Sequence, residues 1–392
     1  MGNSSLHIIA DHISVIASAK TWIEGGAIQQ LQTTAKLPGM RRVAGMPDLH
    51  PGRGYPVGAA FFSVGQMYPA LIGGDIGCGM RFLETSISTR KLSIDKLVKR
   101  LGNLDAPLHR VNETWNQRIK ELGFQDTAFE HALGTIGGGN HFVELQQFDE
   151  ILDHDLFTAN ALDKERVMLL VHSGSRGFGG QILRDQIDRY GHAGVLANSS
   201  NADAYWQQHR RALQFADANR MLIAERICAN LSTQARVILD VHHNFLCETN
   251  IDGQPGYLHR KGATPADQGL VIIPGSRGDY SYLVQPIAIE DPENADRALQ
   301  SLYSLAHGAG RKWMRSECEA RLSQRYTAAQ LSKTRFGSHV VCQDKALIFE
   351  EAPEAYKPIH TVISALVEAG LIHPVARLKP LVSYKTSGGC CV

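Results

Sequence analysis

The sequence predicts a single α+β domain of mixed and antiparallel sheets surrounded by helices. Three observations lead there. Short apolar runs rich in β-branched residues end repeatedly in glycine-rich turns, the pattern of buried strands. Helical stretches lie between them without the regular alternation that a doubly wound parallel sheet requires. No Pro-, Gly- or Ser-rich linker divides the 392 residues, and 43% hydrophobic against 20% charged is the balance of a globular chain able to bury a sizeable core.

Taken along the chain, Leu71-Ile72 leads into Gly73-Gly74-Asp75-Ile76-Gly77-Cys78-Gly79 and reads as a first such strand. Ile94, Leu97, Val98 and Leu101 follow helical spacing after Ser93, a capping residue, with Gly102 at the stop. Residues 103–130 and 149–166 are polar and read as surface loops or short helices. Val167–Val171 is a buried strand running into His172-Ser173-Gly174-Ser175-Arg176-Gly177. Ala204–Leu231, free of Gly and Pro, is helical, in one piece or two. Val237–Val241 leads into His242-His243-Asn244, and Leu270–Ile273 into Pro274-Gly275-Ser276-Arg277-Gly278. Both are expected to be buried strands.

Composition excludes several classes. With 40 basic and 39 acidic residues, net charge +1, there is no global attraction to nucleic acid, so any RNA contact is local and short. No apolar run can span a bilayer, and Met1–Ala10 lacks the pattern of a signal peptide. Seven irregularly spaced cysteines fit reduced thiols in a cytoplasm better than a disulfide framework. There is no Walker A sequence and no well-placed G-x-G-x-x-G, which disfavours a P-loop or a dinucleotide fold.

Chemistry gathers at the glycine turns. Asp75 and Cys78 share one turn, His141 follows Gly137-Gly138-Gly139-Asn140, and His172 and His242-His243 close two apolar runs. A carboxylate, a thiol and three imidazoles at strand ends make a ligand set for one or two transition metals. The spacing matches no zinc finger. His307 sits in Ala306-His307-Gly308-Ala309-Gly310-Arg311-Lys312, where small residues let a phosphate approach the ring and Arg311, Lys312 and Arg315 can balance its charge. On these residues alone, His307 is either a nucleophile or a structural or metal-binding histidine. Ser175-Arg176-Gly177 and Ser276-Arg277-Gly278 repeat a context suited to phosphate, or to an exposed turn arginine.

In order along the chain, Asp48-Leu49-His50-Pro51-Gly52, Asp75-Ile76-Gly77-Cys78-Gly79, Gly138-Gly139-Asn140-His141-Phe142, His172–Gly177, His243-Asn244, Pro274-Gly275-Ser276, His307–Arg311 and Tyr356-Lys357 resemble the signature blocks of the RtcB RNA ligases. The resemblance covers residues 45 to 385. It implies a deep cleft holding two Mn²⁺ ions, with Cys78 shared between them and Asp75, His141, His172 and His243 completing the shells. It also implies GTP as activating nucleotide, with His307 as the residue that carries GMP. Asn140, Phe142, Glu144 and Arg311 would meet the nucleotide or its phosphates, beside Gly308, Ala309 and Gly310. Ser276, Ser281, Tyr356 and Lys385 would surround the guanine. The activity implied is sealing of RNA 3′-phosphate or 2′,3′-cyclic phosphate ends to 5′-hydroxyl ends, as in RNA repair or tRNA splicing, by a monomeric enzyme. A metal-dependent cyclic phosphodiesterase without ligation is the alternative. Arg277 and Asp279-Tyr280 depart from the family's usual residues, the chain is at the short end for the family, and residues 386–392, after Lys385, are expected to form a disordered tail on the 1–385 domain.

Overall fold

The computed structural model of the protein describes residues 5–90, 92–108, 111–124 and 127–387. Most of its strands lie in two large sheets. In the first, strands Leu6–Ala10, Ile13–Ile16, Met40–His50, Val57–Ser63, Gln254–Lys261 and Asn244–Ile251 lie side by side in that order. In the second the order is Ala235–His242, Gly79–Ser88, Arg166–Ser173, Phe142–Ile151, Ile372–Thr386, Ser281–Pro286 and Val271–Pro274, with His339–Cys342 pairing alongside Ile372–Thr386. Neighbours in both sheets are antiparallel except Ile13–Ile16 with Met40–His50, and His339–Cys342 with Ile372–Thr386. The α+β expectation holds.

The run Val167–Val171 is unbroken because its strand is covered on both sides. Leu169 and Val171 pack with Ile223 and Ile227 of the helix Ser200–Leu231, while Met168 and Leu170 pack with Phe82, Phe148 and Phe157. Between the two sheets, Met46, Ala60 and Phe62 of the first meet Ile273 and Val284 of the second, closed off by Val362 and Leu366 of the helix Ile359–Glu368.

The sequence reading holds at several elements and fails at others. Ile94–Leu101 is a helix, with the Ser93 hydroxyl accepting from the Lys96 amide and Gly102 at its end with φ 65°. Ser200–Leu231 is one unbroken helix of 32 residues capped by Ser199. Leu71-Ile72 is not a strand: Pro69–Leu71 is a 3₁₀ turn, and the two apolar side chains anchor it in two different clusters. Ala235–His242 is a strand at the sheet edge, not a buried one, and leaves Val237 43% exposed. The polar stretch after Gly102 is only partly surface. Leu108, Ile119 and Phe124 are buried against Phe215 and Leu222 of the long helix. Near the end, the last strand continues through Thr386, and the Thr386 hydroxyl and Ser387 amide both donate to Asp105. The expected tail boundary therefore falls inside a paired segment, and the rest of that expectation, residues 388–392, lies outside the described residues. No helix among those described is long and apolar enough to cross a membrane.

Candidate active site

Five side chains from four separate segments converge. Asp75 and Cys78 lie on the tight turn before the strand Gly79–Ser88, where the Cys78 amide donates to the Asp75 carbonyl. His141 immediately precedes the strand Phe142–Ile151, His172 is the penultimate residue of Arg166–Ser173, and His243 joins Ala235–His242 to Asn244–Ile251. The His243 amide donates to the Cys78 carbonyl, and the Gly77 amide to the Asn244 carbonyl, so the turn and the strand junction are stitched together. Cys78 Sγ lies 3.4 Å from His141 Nε2 and 3.2 Å from His172 Nε2. His141 Nε2 is 2.6 Å from Asp75 Oδ2, and His172 Nε2 is 3.3 Å from His243 Nε2.

Two three-residue donor sets result, Asp75–Cys78–His141 and Cys78–His172–His243, sharing the thiol, with the donor atoms of each set within 4.8 Å of one another. Burial holds the His172 and His243 rings well below the usual histidine range, so both are neutral and offer lone pairs, the form a metal requires. Burial, reinforced by the Asp75 carboxylate, pushes the Cys78 thiol well up. In so dry a place only a bound cation makes the thiolate favourable. Carboxylate, thiol and neutral imidazoles in this arrangement fit one or two transition-metal ions.

A cavity of about 690 Å³ opens beside this cluster. His172 and His307 line it, together with every expected nucleotide-contacting residue except Ser281: Asn140, Phe142, Glu144, Ser276, Gly308, Ala309, Gly310, Arg311, Tyr356 and Lys385. Ser281 stands one step back. Its hydroxyl accepts from Gln146, whose amide also donates to Glu144. Glu144 also accepts from the Ser383 hydroxyl, and burial raises its carboxyl to about 7.

His307 lies where cavity and cluster meet, its ring centroid 4.9 Å from that of His243. Its Nδ1 is 2.6 Å from Oδ2 of Asp48, a carboxylate with no solvent exposure. Gly310 keeps the His307 loop against the Asp48 segment: at φ 69° its missing side chain would run into the Asp48 carbonyl.

Two carboxylates carry roles that the sequence reading did not assign. Asp48 stands in the Asp48–Gly52 motif, and its signal was a lone acid within the apolar stretch Val43–Leu49. Glu351 had none. It sits 4% exposed, accepts from Lys385 at 3.3 Å and Tyr356 at 2.6 Å, and pairs with Arg311 at 3.2 Å. Burial opposes its ionisation, but Lys385, Arg315 and Arg311 outweigh that and hold its carboxyl below the ordinary range. Arg277 is no exposed turn residue either. It is 7% exposed, lines the cavity and donates to the Leu331 and Ile348 carbonyls. Arg176, at φ 59°, donates its amide to Asp75 Oδ1.

The family model described as tRNA-splicing ligase RtcB matches residues 30–128 and 115–386. An RNA-splicing ligase RtcB2 of Escherichia coli (strain ATCC 25922) is 55% identical over 381 residues, covering 97% of both chains. The RNA-splicing ligase RtcB of Escherichia coli K12 is 28% identical, over 94% of this chain and 97% of its own. A tRNA-splicing ligase RtcB of Archaeoglobus fulgidus is 29% identical, over 92% and 91%.

Proposed function

From the premise that this chain belongs to the RtcB family of RNA ligases, we propose that it joins RNA 3′-phosphate ends, including those derived from 2′,3′-cyclic phosphates, to 5′-hydroxyl ends, with GTP as activator and His307 as carrier of GMP. The observation that carries this reading is the placement of His307. Its Nδ1 is engaged by a buried carboxylate, its ring touches the donor cluster, and it faces a cavity large enough for a nucleotide.

With Asp48 accepting from Nδ1–H, the lone pair of the ring is on Nε2. That nitrogen attacks the α-phosphorus of GTP. A P–N bond forms, the bond to the β-phosphate oxygen breaks, and pyrophosphate leaves. The positive charge gained by the imidazole is balanced by Asp48, as in other histidines oriented by a buried acid. An oxygen of the RNA 3′-phosphate then takes the GMP, breaking the P–N bond and freeing His307. The 5′-hydroxyl of the second end attacks the RNA 3′-phosphorus and releases GMP, closing the phosphodiester. Manganese held by Asp75, Cys78, His141, His172 and His243 would stabilise negative charge on the phosphoryl oxygens. Arg311 and Arg315, which line the same cavity as His307, supply further positive charge. In the guanine pocket, Glu144 accepts from the ring N–H donors while Lys385, 5.8 Å from the Phe142 ring centre, donates to the carbonyl oxygen.

Incubation with Mn²⁺ and α-labelled GTP should give an acid-labile protein adduct, and label placed in the RNA 3′-phosphate should be recovered at the junction. Opening of cyclic phosphates with no adduct would make the protein a phosphodiesterase. Sealing of 5′-phosphate to 3′-hydroxyl ends would refute the end chemistry.

A further inference from the structure

The candidate ligands come from segments far apart in sequence, yet two adjacent residues in the middle of one helix reach all of those segments. Asn219 and Arg220, on Ser200–Leu231, are both completely buried. The Asn219 carbonyl oxygen accepts from the Gly134 amide at 2.9 Å, and its amide donates to Ser173 Oγ at 3.0 Å, the Gly174 carbonyl at 3.2 Å and the Thr135 carbonyl at 3.4 Å. The Ser173 hydroxyl passes on to the Ile136 carbonyl. Asn219 thus binds the loop leading to His141 to the residues that follow His172.

Arg220 takes the other two segments. Its Nη1 donates to the Gly77 carbonyl at 2.7 Å, next to Cys78, and to the Ser173 carbonyl at 3.2 Å, next to His172. Its Nε donates to Asp240 at 2.7 Å, on the strand that leads to His243, and its Nη2 to Asp217 at 2.6 Å. Asp217 lies 2.7 Å from Nε2 of His242, so the histidine pair is tethered from this side as well. The turn is seated directly on the helix: a Cβ at Gly77, where φ is 73°, would come within 2.7 Å of Ala216 Cβ.

We infer that Asn219 and Arg220 are positioning residues that set the spacing of the metal-binding side chains. The inference rests on the metal-site reading above. Neither residue reaches the donor atoms. Asn219 acts through the loops beside His141 and His172, Arg220 through the Gly77 and Ser173 carbonyls and the Asp240 and Asp217 carboxylates, and an arginine's rigid fork can serve two carbonyls and two carboxylates together where a lysine cannot. Outer-sphere partners of this kind typically govern metal affinity by about 10–100-fold.

A matched control exists on the same helix. Arg226 is 6% exposed and donates to the carbonyls of Asn103, Leu104, Ala106 and Gly134; it shares Gly134 with Asn219 but bonds none of the residues next to Cys78, His172 or His243. Arg220→Lys, Asn219→Ala and Arg226→Lys should be titrated with Mn²⁺ alone by calorimetry, with metal-free melting temperatures in parallel. The expected result is a Kd raised about tenfold or more in the Arg220 and Asn219 variants and within about twofold of the unaltered protein in Arg226→Lys, although all three melt earlier. If Arg220→Lys does not fold, Asn219→Ala decides alone. Equal weakening in the control, or lowered melting with unchanged Kd in Arg220→Lys and Asn219→Ala, overturns the inference. Absence of binding by the unaltered protein overturns the metal site itself and the inference with it.

Discussion

Replacing Glu144 by Gln exchanges one oxygen for an amide at a side chain only 5% exposed. The exchange preserves shape and suits both neighbours, since Gln146 can still donate to the remaining oxygen and the Ser383 hydroxyl can turn to accept. What changes is the cost of ionisation. Burial raises this carboxyl from 4.5 to about 7, and at about 1.4 kcal/mol per tenfold change in ionisation equilibrium that corresponds to about 3 kcal/mol. Because folding raises the pKa of an acid here, the native state gains nothing from ionisation. The stability is fully present below about 4.5 and is lost as pH climbs through about 7. Glu144→Gln should therefore match the unaltered protein near pH 4.5 and exceed it above pH 7. A chain of 392 residues has an unfolding entropy of about 0.8 kcal/mol/K, so the gain in melting temperature is about 4 °C. GTP binding should move the opposite way. If the ionised carboxylate receives the guanine N–H donors, affinity of the unaltered protein falls as pH drops below about 7, and the variant binds weakly with no such dependence. Nucleotide-free melting curves and GTP titrations between pH 5 and 8.5 check both. Parallel melting profiles would refute the ionisation argument, and unchanged GTP affinity would refute the role in the pocket.

Cys78→Ala should remove the donor shared by both sets and abolish bound manganese and ligation together, with circular dichroism unchanged; full metal content by elemental analysis would place the site elsewhere. Truncation after Lys385 should lower the melting temperature, because it deletes the Thr386 and Ser387 donors to buried Asp105; a melting temperature equal to the full chain's would show those bonds to be dispensable. His307→Ala should keep its metals, form no GMP adduct and fail to seal 3′-phosphate RNA, yet still join RNA whose 3′ end carries a preformed guanylylated pyrophosphate, a step that needs alignment but no nucleophile. Loss of metal in that variant, or ligation from GTP, would remove His307 from the proposed role.

The sequence was most legible where one local rule decided the outcome. Ser93 and Gly102 bound the helix Ile94–Leu101 by capping chemistry alone, and Val167–Val171 could only be a strand buried on both faces. The edge strand at Val237 looked the same in composition, because nothing local records which strand lacks a neighbour. Leu71-Ile72 misled for a related reason: two apolar residues can anchor a turn in two clusters as readily as begin a strand. The donor residues stood out because Asp, Cys and His are conspicuous beside glycine, whereas Glu351 merely ends the short helix Lys345–Glu350 and gains meaning only when Arg311, Tyr356 and Lys385 arrive from elsewhere in the chain. Asn219 and Arg220 are the sharpest case. In sequence they sit on a long helix that is polar on one side, where solvent exposure is the default for both types. In the fold they are completely buried, and a buried guanidinium is tolerable only if its donors are met. Most of the groups that meet them lie in the segments bearing the candidate ligands, the Gly77, Ser173 and Gly174 carbonyls and the Asp240 carboxylate, so the burial of Arg220 and the proposed spacing of the candidate metal ligands draw on the same set of hydrogen bonds.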